Sequence, residues 1–74
     1  MAQHITIHID GKEYKVDVSS MTGIALKALA GRDATYQLFR ERKGHDPDQL
    51  VGDNNSVTLE HGEHFYTVPP ATFG

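Results

Sequence analysis

The sequence predicts an α+β domain in which one short helix packs on one face of a mixed β-sheet. Three features carry that prediction. Residues 4–18 alternate apolar and polar about a central Asp10-Gly11. Met21 to Leu29 place apolar groups at helical spacing, and further short apolar runs follow as far as Val68. The 74 residues form one small core, near the lower size limit for folding without staples. The chain has no cysteine, which excludes disulfides, thiolate metal sites and a cysteine nucleophile, so packing must supply the stability. A net charge of −3 without a Lys/Arg stripe argues against a nucleic-acid partner. The apolar runs are too short to span a bilayer. Met1-Ala2-Gln3-His4 lacks the charged-then-apolar order of a secretory signal. A cytoplasmic protein with no membrane partner is expected.

In the first run Ile5, Ile7 and Ile9 alternate with His4, Thr6 and His8; after the turn, Tyr14, Val16 and Val18 alternate with Glu13, Lys15 and Asp17. Alternation marks half-buried strands, and Asp-Gly suits a two-residue hairpin loop that needs positive φ. Such a loop pairs Ile9 with Lys12, Ile7 with Tyr14 and Ile5 with Val16. Two of these pairs set apolar on apolar, and Lys12 reaches water at the rim. Between Ser19 and Gly31, the residues Met21, Ile24, Ala25, Ala28 and Leu29 define one predicted helical face. Ser20 or Thr22 caps its start and Gly31 ends it in the left-handed conformation; Gly23 weakens the first turn.

Tyr36 to Arg40 reads as a strand with Tyr36 and Leu38 inward. Glu41 to Asp48 is a polar turn, Leu50-Val51 a very short edge strand and Gly52 to Asn55 another turn. Val57 and Leu59 return to the core, His61-Gly62 turns the chain, and Glu63 to Val68 forms the last strand. A hairpin followed by a helix lays that helix on one sheet face. The last strand then joins beside the first, parallel to it. This order is a β-grasp, with residues 1–68 as the domain and 69–74 as a flexible C-terminal tail.

The chain resembles ubiquitin-like β-grasp modifiers, and in particular the bacterial multi-ubiquitin domain family. The residues that carry the resemblance are Ile5-x-Ile7-x-Ile9-Asp10-Gly11, Met21-Thr22-Gly23, and Val57-x-Leu59-x-x-Gly62-Glu63-x-Phe65-x-x-Val68-Pro69-Pro70. Together they cover essentially the whole chain. The resemblance implies a modifier, itself not an enzyme, whose C-terminal Gly74 is adenylated by an E1-like enzyme. The glycyl group then passes to an E2-like cysteine thioester and on to an amine of a target protein, and a JAB-type protease processes or deconjugates it. No cofactor is bound; ATP is consumed by the activating enzyme. The tail ends Phe73-Gly74, where ubiquitin-type tails usually carry two glycines.

The tail's chemistry suits that role. Pro69 and Pro70 lack donor N–H groups and cannot continue an interior strand. They also hold the residues before them extended. With Ala71, Thr72, Phe73 and Gly74, the tail reaches about 20 Å from the fold at ~3.3 Å per residue. Gly74 has no Cβ, so its carboxylate can approach ATP and then a thiolate closely. By composition alone the same segment is an ordinary frayed terminus.

If Tyr36 and Leu38 face the helix, Phe39 faces the open side of the sheet. With Phe65 inward, Tyr66 and Val68 are outward. Phe39, Tyr66 and Val68, with His8 or Thr6 nearby, then form an apolar patch of the kind that marks a contact surface. The resemblance implies partner docking on that face. A one-residue shift of register would bury one of them instead. His4 and His8 lie about 13 Å apart on a strand at ~3.3 Å per residue and cannot share a metal. His61-x-x-His64 faces opposite ways along a strand. Asp46, Asp48 and Asp53 lack calcium-loop spacing and read as turn formers. Lys12, Lys15, Lys27 and Lys43 are solvated lysines or acceptors for further modifiers. Two other functions remain open: a sulfur carrier bearing a thiocarboxylate at Gly74, and a non-covalent interaction module.

Overall fold

The hairpin forms in the register its alternation predicts. The computed structural model describes residues 4–71. In it β1 (Ile5–Ile9) and β2 (Lys12–Val16) pair Ile5 with Val16, Ile7 with Tyr14 and Ile9 with Lys12. The turn between them has positive φ at both central residues, 55° at Asp10 and 80° at Gly11, as a two-residue loop between twisted strands requires. β3 (Ser20–Thr22) leads into α1 (Gly23–Leu29), and β4 (Gln37–Arg40), β5 (Gln49–Val51), β6 (Ser56–Thr58) and β7 (Glu63–Val68) follow.

Five strands form one mixed sheet in the order β2-β1-β7-β4-β5. β7 lies between β1 and β4, parallel to β1 with Ile9 beside Phe65, and antiparallel to β4 with Phe39 beside Tyr66. With one helix, this is the α+β β-grasp fold that the element order predicts. Among the described residues no helix is long and apolar enough to cross a membrane.

β3 and β6 pair separately as a two-stranded sheet, with Met21 opposite Val57. Residues 20–22, expected at the helix start, are instead this short strand. The Thr22 hydroxyl does cap the helix, accepting the Ala25 N–H at 3.3 Å. Gly31, at φ 71°, follows the helix end in the left-handed conformation.

The core joins Ile7, Ile9 and Val16 of the hairpin to Leu26, Leu38, Val51, Val57, Leu59 and Phe65. One expectation is overturned. The helix buries Gly23, Leu26 and Lys27, whereas Ile24 and Leu29 of the predicted inner face are 39% and 36% exposed. Two contacts set this rotation. At its start, the N–H groups of Gly23 and Ile24 donate to the carbonyls of Asn55 and Asp53, both at 3.1 Å. These partners in the β5–β6 loop satisfy donors that a helix start otherwise leaves orphaned. A Cβ on Gly23 would run into the Gly52 carbonyl, so the glycine that reads as a weak helix residue is what lets the loop approach. The second contact is Lys27, whose Nζ donates to the Ala34 and Tyr36 carbonyls at 2.8 Å each and to Asp53 Oδ1 at 2.5 Å. A buried ammonium is tolerated when it is paired and hydrogen-bonded, and here it ties the helix to the loops on either side. Lys27 is therefore neither a solvated lysine nor an accessible acceptor amine.

Candidate functional site

Strand alternation builds the open face. Leu38 and Phe65 point into the core, so Phe39 and Tyr66 point out. They are directly opposed across β4 and β7, and their rings stack with centroids 5.3 Å apart and planes 14° from parallel. Leu50 opposes Phe39 on its other side, and Val68 lies one outward position beyond Tyr66. Leu50 is 52% and Val68 37% exposed. The result is a contiguous apolar strip of Leu50, Phe39, Tyr66 and Val68 across three strands. Leu50 is the member that sequence reasoning left out. Its signal was the inward assignment available to Val51, which turns the preceding residue outward.

Tyr66 is also held at its polar tip. Its hydroxyl donates to Asp48 Oδ2 at 2.6 Å, and Asp48 Oδ1 accepts the Arg42 N–H at 3.1 Å. The Tyr66 bond, then the Arg42 N–H, keep the Asp48 carboxyl below its ordinary range. In return the Asp48 bond raises the Tyr66 phenol above its own, because ionised tyrosine cannot donate. This loop acid thus orients a ring of the apolar strip from its edge.

His8 flanks the strip. It is opposed to His64 across β1 and β7, and the two imidazoles stack with centroids 4.5 Å apart and planes 10° from parallel. His61 is used differently: its Nδ1 accepts the Thr6 N–H at 3.2 Å. Among the described residues no three His, Cys, Asp or Glu side chains are grouped to hold a metal. Asp53 is spent on Lys27, and Asp46 lies 3.9 Å from Arg42. A recess of about 480 Å³ beside the β4–β5 connection is lined by residues of both charges, including Arg40, Arg42, Glu60 and His61. Its most enclosed pair, Arg40 and Glu63, is closed on itself at 2.6 Å.

The tail begins where β7 stops. Val68 is its last strand residue, and Pro69, Pro70 and Ala71 follow as exposed, non-strand residues. Thr72, Phe73 and Gly74, which the sequence reading assigns to enzyme binding and covalent attachment, lie outside the described residues.

No curated protein and no solved structure matched the chain. The family model for multiubiquitin matches residues 5–69, from the first residue of β1 to the first proline of the tail. That span contains β1 to β7 and the helix, and on it the chain belongs to the multiubiquitin family, with the ubiquitin-like fold that the family implies.

Proposed function

We propose that this protein is a ubiquitin-like modifier whose working group is the carboxylate of Gly74. An E1-like enzyme adenylates that carboxylate at the expense of ATP. The carboxylate oxygen attacks the α-phosphate and pyrophosphate leaves; a thiolate then attacks the acyl-adenylate carbonyl and AMP leaves, and a target amine attacks the thioester, releasing the thiolate and forming the amide. An E2-like enzyme carries the thioester, and a JAB-type protease trims or removes the modifier. The chemistry belongs to those partners; this chain is the substrate and is not itself an enzyme. The cytoplasm, where such partners and ATP meet, is the proposed location.

The observation that carries this reading is family membership across the whole domain, joined to an exposed Val68-Pro69-Pro70-Ala71 exit from the last strand. The open strip of Leu50, Phe39, Tyr66 and Val68 supports a second task on the same molecule, non-covalent docking. It puts stacked aromatics beside the root of the tail, where a partner can grip the body while engaging the terminus.

The test is incubation with ATP and a cognate activating enzyme. The expected products are an adenylate, a thioester cleaved by reducing agent, and amide conjugates through Gly74; deleting Gly74 abolishes all three. A terminal carbonyl carrying sulfur in place of one oxygen would replace the modifier by a sulfur carrier. If no adenylate forms but a partner binds the Phe39 face, the protein is an interaction module.

A further inference from the structure

We propose that Asp10 is a positioning residue for the tail: from the hairpin turn, its side chain clamps the β1-side edge of the last strand's end and so fixes the direction in which the tail leaves the body. The inference rests on the reading of the tail as the working segment.

The pairing of β1 with β7 ends at Ile9 and Phe65. There β1 turns away into the hairpin, and the next part of β7 loses its neighbour on that side. Asp10 supplies a substitute. Its own N–H donates to the Phe65 carbonyl at 3.0 Å. Its Oδ1 accepts the Thr67 N–H at 2.8 Å, and its Oδ2 accepts the Thr67 hydroxyl at 2.6 Å. The carboxylate stands where the next carbonyl of a longer β1 would stand, and it holds that edge of β7 two residues past the end of the β1 ladder, while β4 pairs the other edge as far as Val68. Arg32, from the segment after the helix, donates to the same Oδ2 at 3.2 Å, and its guanidinium lies 5.9 Å from the centre of the Tyr36 ring. Hairpin turn, post-helix segment and last strand thus meet on one side chain.

The backbone of Asp10 is adapted to this. A φ of 55° is uncommon for a residue with a side chain, and aspartate is among the few that tolerate it. Burial works to raise the carboxyl, but the Thr67 and Arg32 contacts outweigh it and hold Asp10 below its ordinary value. The clamp also sits at a boundary. One residue beyond Thr67 comes Val68, and then two prolines with no N–H to donate. On its other edge β7 stays paired with β4 through Leu38–Thr67 and Gln37–Val68, so releasing Thr67 would free the β1-side edge of the strand end and widen the range of directions in which the tail leaves.

The test exploits the absence of cysteine. Spin labels on K15C and A71C report the distance from body to tail. The parent should give a narrow distribution. Asp10→Gly keeps a backbone suited to positive φ while removing the carboxylate, so the turn survives. It should broaden the distribution, and exchange of the Thr67 amide should rise about tenfold, the loss of roughly one charge-assisted hydrogen bond. Thr67→Val, which leaves the turn untouched, should broaden it less. An unchanged distribution in both variants overturns the proposal, as does a broadening matched by equal exchange gains throughout the core, which would mean general loosening. None of these readouts uses an activating enzyme. A clamp that holds a chemically inert tail would sink the modifier reading alone, and conjugation that proceeds with an unclamped tail would sink the clamp alone.

Discussion

The two faces of the sheet carry similar residues and use them in opposite ways. On the inner face Phe65 is 2% exposed and packs with Leu26 and Leu38 into a core closed by the helix. On the outer face, one residue along each of the same strands, Phe39 and Tyr66 stack on each other with no covering element among the described residues, and Leu50 and Val68 are exposed beside them. The inner face is determined by volume, because every methylene there has a neighbour. The outer face is organised by pairing and by a polar anchor at Asp48, which orients a surface without closing it. The difference teaches that hydrophobicity alone does not define the core of a small sheet; the alternation does.

The contrast breaks most readily from the inside. Phe65→Ala should cost about 3–5 kcal/mol in denaturant unfolding, the range for a large-to-small change in a closed core, and in a domain this small that approaches the whole stability. Gly23→Ala adds only a methyl group but drives it into the Gly52 carbonyl; a loss of about 1–3 kcal/mol is expected by the same measurement. A neutral result would mean that the β5–β6 loop gives way and does not set the rotation of the helix.

On the outside, Phe39→Ala should cost only about 1 kcal/mol, the stacking plus a share of half-buried area. Its larger effect belongs to partner capture, read as lost binding in calorimetry. The smallest effect is the tuning of the anchor. The Asp48 carboxyl is depressed, so its contribution is complete above the unfolded value near pH 3.9 and fades as the pH falls through the lower folded value. The Tyr66 phenol is raised, so its contribution is complete below about pH 10 and fades as the pH rises through the folded value. Asp48→Asn should flatten the acid limb of the stability profile and bring the tyrosinate absorbance transition of Tyr66 back toward its ordinary position.

Legibility followed locality. The hairpin register could be derived because its pairs lie within a dozen residues and each is checked by its neighbours. Phe39 and Tyr66 pointed outward as soon as Leu38 and Phe65 were assigned inward. The helix face differs from the expected one because Lys27, polar by type, enters the core on three acceptors, two on the segment just after the helix and one on Asp53, 26 positions on. The pairing of β3 with β6 was hidden because each is three residues long and largely polar. Asp10 looked like turn chemistry and nothing more: the Thr67 contact spans 57 positions, and no local pattern announces it.

The burial of Lys27 gives the molecule an internal gauge of its own breathing. An amine-reactive reagent should label Lys12, Lys15 and Lys43 promptly and leave Lys27 silent while its ammonium is sequestered. Any slow adduct at that position would count excursions in which the helix parts from the 33–36 segment and from the loop at Asp53. The ratio of slow to prompt labelling would therefore measure the free energy of a partial opening that a melting curve averages away.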